Sequence, residues 1–239
     1  MTPRQMQIAF ERELNTQIDD SKKPTSDTTV YWLNQALMKF VKTRYSGVNA
    51  KQLAFEQDAK RIDDLRTLVV TVNVSAANSQ SRLTEWSVLL PDGYMFHLGT
   101  KVNILPPAGT YNKCWKKDAT GNYLKVCTSA IEVTADTISR ALENSLSEHH
   151  LHYCNARPLQ LFKGGYVMFY TDGNYIISDC DITYLKKPTA ITLSNDSAEY
   201  TDLPEHTHQE IVKLAVQMYL ESIADQRYTS YSNEVNTME

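Results

Sequence analysis

The feature that most constrains this chain is where its hydrophobic period changes. In PRQMQIAFERELNTQI, Met6, Phe10, Leu14 and Ile18 recur at every fourth position, which places them on one face of an α-helix. Pro3 suits the first turn of that helix, where its missing N–H costs nothing. The polar stretch Asp19–Asp27 breaks the pattern, and Thr25, Ser26 and Asp27 offer N-caps for a second helix. Val30, Leu33, Leu37, Phe40 and Val41 stripe that helix, with Trp32 and Ala36 beside them and Gly47 as its stop. A third helix is predicted over Ala50–Leu68, with Phe55, Ala59, Ile62 and Leu65 inward and Lys60, Arg61, Asp63, Asp64 and Arg66 outward.

At Leu68 the pattern becomes that of strands. LVVTVNV is β-branched, and WSVLLP, MFHLG, KVNIL, PLQLF, YVMFY, NYIIS, DITYLKK and AITL read as further short strands. The segment CWKKDATGNYLKVC reads as a hairpin turning at Thr120–Asn122, and Asp172-Gly173 as a second tight hairpin, since Gly tolerates the positive φ such turns need. One helix interrupts the strands. In DTISRALENSL, capped by Thr134 or Asp136, the residues Ile138, Ala141, Leu142 and Leu146 line one side.

After Tyr200 the helical period returns. In DLPEHTHQEIVKLAVQMYLE, Ile211, Leu214, Ala215 and Met218 form a stripe that Val212, Tyr219 and Ile223 widen. Asp202 with Glu205 three residues later reads as a capping box, and Pro204 falls in the first turn. The predicted class is therefore α+β. Residues 1–68 and 200–225 form a helical core in which the N-terminal helices bundle with the C-terminal one. Residues 69–199 form an antiparallel β-rich insertion with a short helix near 136–147, and 226–239 form a polar C-terminal arm.

Composition narrows function by exclusion. The chain has 239 residues, enough to bury a core without a disulfide or metal staple. Its net charge of −4 supplies no basic footprint for gripping nucleic acid. Lys and Arg slightly outnumber acids over residues 1–68, whereas acids dominate 203–239. No N-terminal apolar run suggests a signal peptide, and no run approaches the about 20 apolar residues that span a bilayer. Cys114, Cys127, Cys154 and Cys180 contain no CxxC pair, so free thiols in a reducing cytosol are expected. The 14 tyrosines, against 6 Phe and 3 Trp, suit surfaces that become buried between subunits.

Two histidine groups invite a chemical reading. His206 and His208 are two residues apart, about 200° around a helix, so they face opposite sides. Only His206 and Glu210 share the i, i+4 spacing of helical metal ligands. In EHHLHY, His149, His150 and His152 offer enough imidazoles for a transition metal, but no spaced carboxylate or cysteine pair completes a site, and histidines also suit the end of a helix. A metal-dependent enzyme built on His149, His150, His152 and His206 is the reading that metal analysis would decide. Neither GxSxG nor GxxxxGK[ST] occurs, and with 8 glycines the chain is poor in phosphate-cradling loops. No catalytic, cofactor-binding or metal residue is assigned.

Several stretches resemble a known family. MTPRQMQIAFERELN, TSDTTVYWLNQALMKFVKTRYSG and FEQDAKRIDDLRTLV are similar to the N-terminal region of virion structural proteins of crAss-like bacteriophages. ARPLQLF, TDGNYIISDCDITYLKKPTAITL and DLPEHTHQEIVKLAVQMYLE are similar to their C-terminal half. The order also fits, and the likeness leaves out Asn73–Glu148. The strand ending in Lys-Lys-Pro, followed by Asp-Leu-Pro-Glu-His and a long helix, resembles the core of head–tail connector, or portal adaptor, proteins. The resemblance implies a non-enzymatic neck component: a dodecameric ring of this chain beneath the portal protein. Such a ring extends the channel through which double-stranded DNA passes without specific binding, and it docks further neck or tail proteins. It implies assembly in the host bacterial cytoplasm and no membrane. It also implies a C-terminal arm that reaches the portal, here Gln226–Glu239 with Gln226, Arg227, Tyr228 and Tyr231 as contacts. A tail hub or lower neck ring that does not touch the portal is the alternative.

Overall fold

A computed structural model of the chain describes residues 1–15, 23–46, 61–78, 84–107, 115–150, 156–194, 198–223 and 232. The fold is α+β, with helices at both ends of the sequence and antiparallel-rich sheets between them. It divides into two compact units. One joins Met1–Val69 to Lys187–Glu239, and the other is the continuous stretch Val70–Lys186.

The discontinuous unit is built on three helices, α1 (Pro3–Asn15), α2 (Ser26–Ser46) and α4 (Glu205–Ser222). Met6, Phe10 and Leu14 are buried along α1, as their spacing predicts. Leu33, Ala36, Leu37, Phe40 and Val41 are buried along α2, and Ile211, Val212, Ala215, Val216, Tyr219 and Leu220 along α4. Tyr219 is the point where the three meet: Phe10 approaches its ring edge-on at 6.1 Å and Trp32 at 6.3 Å. A capping box does occur, but at α1. Thr2 N–H donates to Gln5 Oε1 and Gln5 N–H to Thr2 Oγ1, satisfying two backbone donors that the helix start leaves over.

Of the third predicted helix, 61–65 is helical and Arg66–Leu68 is a 3-10 turn. Phe55 and Ala59 lie outside the described residues, as does Gly47. Two expectations here are reversed. Ile62 is exposed, and Asp64, expected outward, is fully buried. AITL is not a strand either. The Asn34 side chain donates to Ile191 C=O and accepts from Ile191 N–H, so this backbone finds its partners on α2 rather than in a sheet.

The continuous unit is a two-sheet sandwich. Sheet A has the order β1-β9-β4-β5, with β1 Val69–Ser75, β4 Tyr94–Leu105, β5 Val126–Ser129 and β9 Ile176–Lys186. Sheet B has the order β2-β3-β8-β7-β6, with β2 Ala77–Asn78, β3 Glu85–Leu89, β6 Ile131–Glu132, β7 Leu159–Lys163 and β8 Tyr166–Tyr170. Inward residues of both sheets fill one core: Val102, Ile104, Cys180 and Ile182 from A, and Trp86, Val88, Val167 and Phe169 from B. Two sheets sharing one core in this way are packed face to face.

The sequence split β4 and β9 into pieces that the fold makes continuous. MFHLG and KVNIL are one strand, bulged between Tyr94 and Phe96, His97 and Gly99, and Asn103 and Ile104. The tight hairpin is at Gly164-Gly165, joining β7 to β8. Asp172-Gly173, expected to be a hairpin, instead carries the chain from β8 in sheet B to β9 in sheet A. The short helix α3 spans Ile138–Glu143 with Thr137 at its N-cap, not Thr134 or Asp136. Its predicted apolar side is not buried, and the Leu146 beyond it is 84% exposed.

Candidate functional site

The helix start that drew attention in the sequence is a junction of buried charges. α4 begins at Glu205 with Pro204 at its N-cap, so Asp202 and Glu205 do not form the predicted capping box. The reason is geometric: Asp202 sits two residues before the cap position, and its Oδ2 accepts Thr189 N–H at 2.6 Å while its C=O accepts Thr67 Oγ1. Glu205 is the first helical residue, where its charge still faces the positive end of the helix dipole.

His206 and His208 point apart, as their spacing requires. His206 is more than half exposed, and its Nε2 lies 2.8 Å from Asp64 Oδ1. Asp64 Oδ2 is 3.1 Å from Arg44 Nε, and Arg44 also binds Glu210. The Arg44 guanidinium lies 4.9 Å above the Phe40 ring. This cluster ties α2, the 61–65 turn and α4 together through one cation between two carboxylates. His208 is buried. Its Nε2 is 3.1 Å from Leu203 C=O and its Nδ1 is 3.0 Å from the Met1 amine. The carbonyl can only accept, so Nε2 carries the proton and Nδ1 accepts from the ammonium. Burial, and then the Met1 charge, lower the His208 pKa below 6.5.

The second concentration of polar groups is on the outward face of sheet A. Asp179 is mostly buried there and accepts from Asn73, Asn103, Lys125 and Ser178. Burial alone would raise its pKa, but these four donors outweigh it and hold the carboxylate well below its ordinary range. Asn73 also binds Asp181, and Thr71 meets Thr183 at 2.9 Å. The Asn73, Asn103 and Thr71 bonds tie neighbouring strands to β9, Lys125 reaches Asp179 from just before β5, and Ser178 bonds it within β9. A carboxylate held ionised by four donors is a poor general base.

His149 and His150 lie with ring centroids 4.0 Å apart and their planes tilted by 38°. Tyr175 donates its hydroxyl to His149 C=O at 2.7 Å, and His150 lies 3.9 Å from Asp172. His152 lies outside the described residues. His206 belongs to the other unit, so the four histidines weighed as one metal set are divided between units. Among the described residues, no three His, Cys, Asp or Glu side chains gather as a metal-holding group, and no helix is long and apolar enough to cross a membrane. Cys127 is an exposed free thiol and Cys180 a buried one.

Gln226, Arg227, Tyr228 and Tyr231, the predicted partner contacts, lie outside the described residues. Within that arm Ser232 is described, and its Oγ accepts from Gln217 of α4 at 3.0 Å. Sequence reasoning missed Arg44, Asp64, Asn34 and Asp179. A signal for Arg44 existed, since it continues the α2 stripe four residues beyond Phe40. No protein-family model matches the chain, and no curated protein matches it.

Proposed function

We propose that this chain is a structural subunit of a phage virion neck. Copies of it form a ring, dodecameric by the resemblance, beneath the portal; the ring extends the DNA channel and docks the tail. The observation that carries this reading is that stretches far apart in sequence, each resembling crAss-like virion proteins, belong to one helical unit. Those within 1–69 join the one at 202–221 there. The likeness also takes in ARPLQLF and TDGNYIISDCDITYLK of the inserted sandwich, and the part of that unit left to vary is Asn73–Glu148. The reading assigns no catalysis, consistent with charged groups engaged in internal ties. A net charge of −4 suits a channel that DNA must slide through, because a strongly basic lumen would hold phosphate. Gln226–Glu239, with Gln226, Arg227, Tyr228 and Tyr231, is the assigned portal contact.

Mass spectrometry of purified virions tests the reading, and a neck reconstruction places the subunit. Absence of the chain from particles sinks it. Deleting Gln226–Glu239 is expected to leave the fold intact and to reduce incorporation; normal incorporation would remove the arm from the portal contact.

A further inference from the structure

The two sheets end very differently. Sheet B finishes at both sides in two-residue strands, β2 and β6, and short edges are one way in which proteins prevent strand-to-strand association. Sheet A finishes in the seven-residue β1, VVTVNVS, and in β5, VCTS. Neither carries a Lys, a Pro or any charge, the other common edge-blocking devices.

The register shows what these edges offer. Ala76 N–H donates to Ser178 C=O, and the Thr71–Thr183 and Asn73–Asp181 pairs keep the same antiparallel register. Alternation then turns the backbone groups of Val70, Val72 and Val74 toward β9, and those of Thr71, Asn73 and Ser75 toward the edge that no strand covers among the described residues. On β5, Ala130 N–H donates to Thr100 C=O, and Lys101 is opposite Ser129. Cys127 and Ser129 therefore face the other open edge, where Ser129 C=O accepts one 3.4 Å bond from Arg157.

We propose that the β1 edge of sheet A takes the β5 edge of a second copy of this chain, so that the sheet continues from subunit to subunit. The inference rests on the ring reading above and deepens it. Three observations favour this occupant. The four strands of sheet A alternate in direction, so a second copy in the same orientation lays its β5 antiparallel to β1. The faces match, because Val70, Val72 and Val74 lie on the core side of β1, as Val126 does on β5, opposite Ile104. Asn73 and Cys127 both lie on the polar side. Finally, a β1–β5 seam joins two different surfaces, the head-to-tail contact that generates rings.

Cys127 makes the seam testable in the full-length chain. With Cys114 and Cys154 replaced by Ser, a second cysteine is introduced as Thr71→Cys or, separately, Ser75→Cys. Mild oxidation is expected to give a ladder of dimers, trimers and larger species that vanishes when Cys127→Ser is added. Cys180, whose thiol burial pushes up to about 12, should stay unlabelled by a thiol reagent in every folded variant. Cys127→Lys, which places a charge on the edge, is expected to abolish multimers seen with an amine cross-linker. A dimer that persists with Cys127→Ser would mean that β1 pairs with β1, and overturns the proposal. Amine-linked multimers without disulfides overturn the seam and leave the ring standing. No multimers by either chemistry also overturns the seam, while the ring reading is decided separately by virion composition.

Discussion

Arg44 is the residue on which most of the helical unit's buried charge depends. It lies between Asp64, fully buried, and Glu210, with its guanidinium on Phe40. Removing one member of a buried pair leaves the other desolvated and uncompensated, at about 3–5 kcal/mol. Arg44→Met is therefore expected to destabilise the unit by about 3 kcal/mol in urea unfolding. The double variant Arg44→Met with Asp64→Asn should recover much of that loss, because the fully buried charge is no longer stranded and Glu210, the carboxylate left over, is partly solvated; additive losses would refute the coupling. His208 gives a pH signature. Its folded pKa is depressed, so the unfolded chain binds more protons just below pH 6.5. Stability is thus fully present above that value and falls as the pH drops below it. The decline should be shallower in His208→Gln when urea midpoints are compared on both sides of pH 6.5. The divergence of His206 and His208 was legible from spacing. The burial of Asp64 was not, because its partner Arg44 lies twenty positions earlier, and periodicity carries no information about which charge meets which.

Elements were legible where a single period persists, as in α1, α2 and α4, and less so where backbone pairing decides. MFHLG and KVNIL look like two strands because bulges interrupt their alternation, yet β9 pairs along their whole length. Ile191 looks like part of a strand, but a side-chain amide on α2 takes its backbone groups. Turn chemistry was legible as glycine but not as connectivity. Gly164-Gly165 closes a hairpin, while Asp172-Gly173 crosses between sheets. Gly164 has φ +61, and Gly165 is not among the positive-φ glycines, the pattern of a turn with only its first central residue left-handed. An L-residue there costs roughly 1–2 kcal/mol. Gly164→Ala should accordingly lower the thermal midpoint, and Gly165→Ala, with open space around its Cβ position, should change it little. Equal effects at the two positions would contradict the turn assignment.

At the scale of the whole molecule, the α+β class followed from the order of periods along the chain, helical, then strand-like, then helical again. The boundary that matters is sharper than the sequence suggested, because the continuous unit ends at Lys186 rather than near 199. The chain enters this unit on β1 and leaves it on β9, and these two strands are neighbours in sheet A. An insertion whose two ends lie side by side places little strain on the unit that hosts it. The inserted unit also has its own core, running from Trp86 to Tyr184 across both sheets. Excised as Val70–Lys186, it is expected to unfold cooperatively with a calorimetric enthalpy of roughly 80 kcal/mol, the usual value for a domain of this length. The complementary variant, in which a short Gly/Ser link replaces 70–186, should retain the helical signal of α1, α2 and α4. If the excised sandwich shows no heat-absorption peak while the full chain melts cooperatively, the core between its sheets is insufficient by itself and the division into two folding units fails.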